Sequence, residues 1–264
     1  MVITVLLAGN RLAAQKQWDV CVYGETPAGI MSAIQAAKMN KQVLLISNTA
    51  HLGGVSTSGL TATDLNNFQS AGGLAREFFQ RLYAFYSDSS AWRSESRSVY
   101  FERSKKRTFS GKNDSLKMQW VYESHVAEGI LKKMLQEAGV RVVYKERLQL
   151  KNGVEKKDAA ILGIRMENGR RYHAKIFIDA TYEGDLMAKA GVSYIVGREA
   201  NSVYNETLNG IKLNEIIGKD SISIDPYVKK GIPASGVLPF LEPQIPGADG
   251  QGDQRTQSYC YRMT

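Results

Sequence analysis

The chain has 264 residues, 43% of them hydrophobic, and a formal charge of +8. That length can hold one large domain or two smaller ones around a sizeable core. Two cysteines, Cys21 and Cys260, form no CxxC or zinc pattern, and the histidines His51, His125 and His173 lack metal-ligand spacing, so no metal is expected.

Val2 to Ala8 is a short apolar run followed by Leu12-Ala13-Ala14-Gln15. Residues 1–17 therefore read as a signal-like leader, with cleavage after Ala14 and a periplasmic or secreted product. No basic residue precedes the run and Arg11 follows it. A disordered leader or an extra strand, with a cytoplasmic location, is thus the alternative. The run is too short to span a membrane.

Trp18 to Tyr23 is β-branched and apolar and ends at Gly24, as a buried parallel strand would. Pro27 to Asn40 is helical, with Pro27 in the first turn, where a missing N–H costs nothing. Gln42 to Ile46 is a second buried strand, completing a βαβ unit. A Gly, Ser and Thr-rich loop runs from Ser47 to Gly59, and Ala71 to Tyr86 is an amphipathic helix with Leu74, Phe78, Leu82 and Phe85 on one face. Residues 87–117 are polar, lack periodicity and read as a surface insertion or mobile loop. Arg93 to Lys112 carries seven Lys/Arg against Glu95 and Glu102. No nucleic-acid motif accompanies this charge, so it reads as a solvated face and no nucleic-acid partner is expected.

Met118 to Tyr122 restores order, and a helix from Glu123 to Ala138 ends at Gly139. Val140 to Tyr144 is a third strand. Leu148–Leu150, Ala160–Met166 and Arg171–His173, with turns at Asn152-Gly153 and Asn168-Gly169, read as an antiparallel meander. Lys175 to Ile178 is another buried strand, followed by a helix from Glu183 to Ala190. Beyond Arg198 the pattern loosens. The expected class is α/β: a Rossmann-like parallel sheet with helices on both faces and an inserted meander.

The turn Gly24-Glu25-Thr26-Pro27-Ala28-Gly29 carries the chemistry. A strand-to-helix turn offers backbone N–H groups and the helix dipole to a pyrophosphate. The usual spacing is G-x-G-x-x-G, and here Thr26 stands at the middle glycine. The acid expected after the second strand, where it holds an adenosine ribose, is replaced by Ser47 and Asn48. By itself the turn fits any dinucleotide, or a βα turn that binds nothing.

With three further stretches the sequence resembles the FAD-dependent oxidoreductases, in the bacterial branch of the glutathione-reductase-like FAD/NAD(P)-binding superfamily. These are His51-Leu52-Gly53-Gly54 with Ser58-Gly59-Leu60, Glu146-Arg147-Leu148, and Ile178-Asp179-Ala180-Thr181-Tyr182-Glu183-Gly184-Asp185-Leu186. The resemblance spans about residues 18 to 210 and implies FAD as cofactor. It implies Gly24, Thr26, Ala28 and Gly29 along the pyrophosphate, and Ser47 and Asn48 facing the adenosine ribose. Gly53 and Gly54 would pass beside the diphosphate and ribityl chain. The Leu148 backbone would meet the adenine edge, and Ala180, Thr181 and Asp185 would lie at the phosphate side. By themselves, Thr181 and Asp185 read as a helix cap with a charged first turn.

His51, Tyr182 and Arg198 are the catalytic candidates. His51 also reads as a surface residue, and Arg198-Glu199 as a structural ion pair. The implied organisation is an FAD-binding domain over 18–197 and the start of a substrate domain over 198–264. Gln257 to Arg262 resembles a strand from the middle of such a domain, so an N-terminal portion of a longer relative is expected. The implied function is oxidation of a small organic substrate by hydride transfer to flavin, with carbohydrate-derived compounds as one candidate class. A simple NAD(P)-binding protein would need neither Gly53-Gly54 nor the Asp179 strand. The alternative of another class is a non-catalytic dinucleotide-binding or interaction module that retains the fold.

Overall fold

The computed structural model describes residues 16–60, 62–63, 67–105, 111–212, 225–241 and 247–256. The signal-like run through Ala14 and the strand-like stretch Gln257 to Arg262 lie outside them. Two compact units are present, residues 1–192 and 193–264.

The first unit opens with β1 (Gln17–Tyr23), α1 (Pro27–Lys38) and β2 (Val43–Ile46). Next come α2 (Gly73–Ser87), α3 (Arg97–Lys105), β3 (Lys112–Asn113) and β4 (Met118–Gln119). It continues with α4 (Ser124–Glu137), β5 (Arg141–Val143), β6 (Val154–Lys157), β7 (Ala160–Arg165), β8 (Arg171–Asp179) and α5 (Asp185–Lys189).

Six strands form one sheet in the order β5-β2-β1-β8-β7-β6. β1 pairs in parallel with both β2 and β8, and β2 with β5. The remaining edge, β8-β7-β6, is the antiparallel meander. β3 and β4 make a separate two-stranded ribbon.

Strand alternation divides the apolar side chains between two cores. Val20, Val22, Val43 and Leu45 face one side, where Ile30 and Ile34 of α1, Phe78 and Leu82 of α2, and Leu131 and Leu135 of α4 cover them. Cys21, Tyr23, Leu44 and Ile46 face the other, under Leu148, Ile164 and Met166 of the meander and Leu186 of α5. Helices thus lie on both faces, but the heavy layer of α1, α2 and α4 is on one. Burial pushes the Cys21 thiol up to about 12, in keeping with an inert core residue.

Four local expectations change. Leu148–Leu150 is not a strand: Leu148 makes only an isolated bridge to Met166, and the meander's outer strand is β6 instead. Arg171–His173 and Lys175–Ile178 are one nine-residue strand, β8. Arg171 to His173 pairs antiparallel with β7, while His173 to Asp179 runs parallel beside β1. Within the polar insertion, α3 forms because Phe101 buries and Trp92, Tyr100 and Phe101 stack on one another, with ring centroids 5.1–5.9 Å apart. On α2, Tyr86 rather than Phe85 is buried, since its hydroxyl donates to Glu123 at 3.0 Å.

The described residues of the second unit contain little regular structure. Arg198 pairs with Asp253 and Tyr227 with Val237 in isolated bridges, and Ile211 is buried between hydrogen bonds to Gly250 and Gln251.

Candidate cofactor cleft

The four parallel strands end side by side at Tyr23, Ile46, Val143 and Asp179. Ligands of open α/β sheets bind beyond this carboxyl edge. A cleft of about 620 Å³ lies there, lined by Tyr23, Gly24, Glu25 and Thr26 after β1, and by Asn48, Thr49 and His51 after β2. Gly54, Val55 and Ser58, Arg147, Leu148 and Leu150, and Thr181, Tyr182, Glu183 and Asp185 after β8 also line it.

The glycine turn is built for close approach. Gly24 has φ +115°, and a Cβ there would sit 2.5 Å from the Ala180 carbonyl carbon. A Cβ on Gly29 would sit 2.1 Å from the Gly24 oxygen, so this glycine lets α1 start directly against the turn.

Thr26, at the place of the middle glycine, is the N-cap of α1. Its buried hydroxyl accepts from Gly29 N at 3.2 Å and donates to Ala180 O at 2.6 Å, tying the β1 turn to the β8 turn. The N–H groups of Glu25, Thr26 and Ala28 have no hydrogen-bond partner among the described residues. Those donors and the dipole of a twelve-residue helix make an anion cradle. Thr26→Ala removes the cap and strands a buried carbonyl, so we expect a loss of about 1–3 kcal/mol, read by urea unfolding. Thr26→Ser should keep most of it.

The other loops are fastened to this turn. Gly53 N donates to Glu25 O at 2.8 Å. Val55 N donates to the Tyr182 hydroxyl at 3.0 Å, and a Cβ on Gly54 would fall 2.3 Å from that oxygen. Tyr182, weighed above as a catalytic group, is therefore also a strut against the second glycine loop. Asp179 Oδ1 accepts from Thr181 N and Oγ1, and its Oδ2 accepts from Met187 N at 2.8 Å. The Thr181 hydroxyl in turn accepts from Gly184 N.

The cleft gathers Gly24, Thr26, Asn48, Gly54, Leu148, Thr181, Asp185, His51 and Tyr182. Ala28, Gly29, Gly53 and Ala180 belong to the same turns without lining it. Ser47 is fully buried, its hydroxyl donating toward Thr49 O and His51 O and accepting from Thr49 N. Leu148 N donates to the Tyr23 hydroxyl at 2.9 Å, so of its two backbone groups the carbonyl is the one without a partner among the described residues.

His51 is largely exposed, with Nδ1 3.5 Å from Glu128 Oε2. Burial opposes ionisation of Glu128, but the Lys132 ammonium and the Leu52 N–H hold its carboxyl below the ordinary value. Arg198 belongs to the second unit, where it makes a two-point ion pair with Asp253, not with Glu199. The Asp253 contact raises its already high pKa.

Glu25 and Tyr23 escape a reading by motif, because each acts across strands. Arg147 is the one cationic side chain among the described residues lining the cleft. An anion's charge would therefore fall on backbone N–H groups more than on lysines or arginines. No group of three or more His, Cys, Asp or Glu suited to a metal occurs among the described residues, and no described helix is long and apolar enough to cross a membrane.

The family described as FAD dependent oxidoreductase matches residues 19–264. No curated protein matches. Among solved structures, L-proline dehydrogenase from P. horikoshii aligns at TM-score 0.45 and 15% identity, over 70% of this chain and 59% of that one. L-amino acid deaminase from Proteus vulgaris aligns at 0.45 and 17%, over 69% and 52%. Glycine oxidase from Geobacillus kaustophilus aligns at 0.43 and 12%, over 70% and 63%. The aligned chain thus spans less than two thirds of the length of each.

Proposed function

Because the chain belongs to the FAD dependent oxidoreductase family, we propose that the cleft holds FAD by its adenosine diphosphate half and that the protein oxidises a small organic substrate. The observation that carries this reading is the Gly24–Gly29 turn. It brings Gly24 against Ala180, Gly29 against Gly24, and leaves three N–H donors without a partner among the described residues at the start of α1. Such a cradle fits a diphosphate.

In this reading the N–H groups of Glu25, Thr26 and Ala28 meet diphosphate oxygens, helped by the α1 dipole. The Leu148 carbonyl, without a partner among the described residues, would accept from the adenine amino group. The Gly53-Gly54 loop, fixed by Glu25 O and the Tyr182 hydroxyl, lets the cofactor chain pass. Bound flavin supplies a two-electron acceptor for a hydride from substrate. His51 and Tyr182 are the titratable groups at the cleft to which a proton-transfer role is assigned. Carbohydrate-derived compounds are the first substrate class to assay.

The test is release of the bound cofactor from purified protein by denaturation, with identification by mass. FAD in near-stoichiometric amount supports the reading. A colourless protein that FAD cannot reconstitute contradicts it and favours a non-catalytic module.

A further inference from the structure

We propose that Glu25 supplies the carboxylate that binds the adenosine ribose, from the glycine turn rather than from the end of β2. The inference rests on the FAD reading and names a residue for one part of that site. Among open α/β dinucleotide folds, the ribose hydroxyls are usually held by an acid following the second strand. Here that place is Ser47, which is fully buried with its hydroxyl engaged by Thr49 and His51. It has neither the charge nor the exposure for the task.

The sheet register shows how another residue reaches the same spot. β1 and β2 run parallel with Tyr23 opposite Ile46. Two residues beyond each, Glu25 and Asn48 stand across from one another at the carboxyl edge. The Glu25 carboxylate spans this gap: Oε2 accepts from Asn48 N at 3.2 Å, and Oε1 from the Thr49 hydroxyl at 3.0 Å. Both oxygens are thereby fixed at the end of β2, beside the cleft that Glu25 lines. A carboxylate has about four acceptor sites. Two are used, and no ion pair reaches the group among the described residues. The remaining lone pairs suit a vicinal diol, which donates two O–H groups to one carboxylate. The same charge would repel a 2′-phosphate, so an unphosphorylated ribose is the ligand this arrangement selects.

The test compares ADP, 2′-deoxy-ADP and 3′-deoxy-ADP by titration calorimetry on the full chain and on Glu25→Gln, with FAD titrated in parallel. A hydrogen bond to a charged acceptor should make wild type prefer ADP over at least one deoxy analogue by about tenfold or more. Glu25→Gln should shrink that preference to about twofold, at an unchanged melting temperature. A general loosening of the turn would weaken ADP and its deoxy analogues alike and preserve the ratio. A preserved ratio, or a wild type indifferent to both hydroxyls, overturns the assignment while leaving FAD binding standing. If wild type binds neither FAD nor ADP, the cofactor reading fails and this inference fails with it.

Discussion

Gly29→Val is expected to lower the melting temperature by about 6–12 °C, corresponding to about 3 kcal/mol, and to abolish FAD binding. The added Cβ would lie 2.1 Å from the Gly24 carbonyl oxygen, which is backbone and cannot swing aside. Relief requires α1 to move away from the turn. That movement breaks the Thr26 cap and turns the unpaired N–H groups away from a common point. Gly129→Ala provides the contrast. Gly129 lies within α4 with open space around its missing Cβ, so alanine should stabilise by about 0.5–1 kcal/mol. Thermal melts with and without FAD read both effects. Unchanged FAD affinity in Gly29→Val would remove the turn from the binding account.

Trp120→Ala should cost about 3–5 kcal/mol, read by urea unfolding of the apo chain. Trp120 is fully buried in the helix-side core, between Met118 and Tyr122 and together with residues of α2 and α4. Its backbone accepts from Thr63 N and donates to Gly111 O, so it also anchors the chain's return from the polar insertion. Because it does not line the cleft, variant that remains folded should bind FAD with near-normal affinity. A large affinity loss in that folded variant would show the insertion coupled to the site.

The parts of the fold that were legible in the sequence are those with local causes. β1, α1 and β2 follow from two β-branched runs around a Pro27-started helix. Asp179 to Asp185 announced a strand-to-helix turn at similar range. β8 read as two strands because its first half, Arg171 to Lys175, is largely polar while Ile176 to Ile178 is apolar; the change mirrors a strand that joins a meander to a parallel sheet. β6, Val154-Glu155-Lys156-Lys157, is an edge strand with too few apolar residues for a periodic signal. α3 is held by ring stacking rather than by an apolar stripe, and stacking leaves no 3.6-residue pattern.

In the cleft, the glycine turns were visible and the two departures from the usual fingerprint were visible as substitutions. Their compensation was not. Thr26 turns its hydroxyl onto Ala180, 154 residues away in the chain, and Glu25 reaches Asn48 and Thr49 across the strand pair. Only the register of β1 between β2 and β8 brings those partners together. The absent middle glycine and the absent acid after β2 therefore each have a structural counterpart, in the Thr26 cap and the Glu25 carboxylate.

Binding of FAD by the Gly24–Gly29 cleft through its adenosine diphosphate half is the proposal on which the rest depends. Competition titration of FAD, FMN and ADP tests it most directly. ADP is expected to displace FAD competitively, and FMN, which lacks the adenosine half, to bind at least about a hundredfold more weakly, as the loss of two charge-assisted contacts would give. FMN binding as tight as FAD, or FAD binding untouched by saturating ADP, would contradict it.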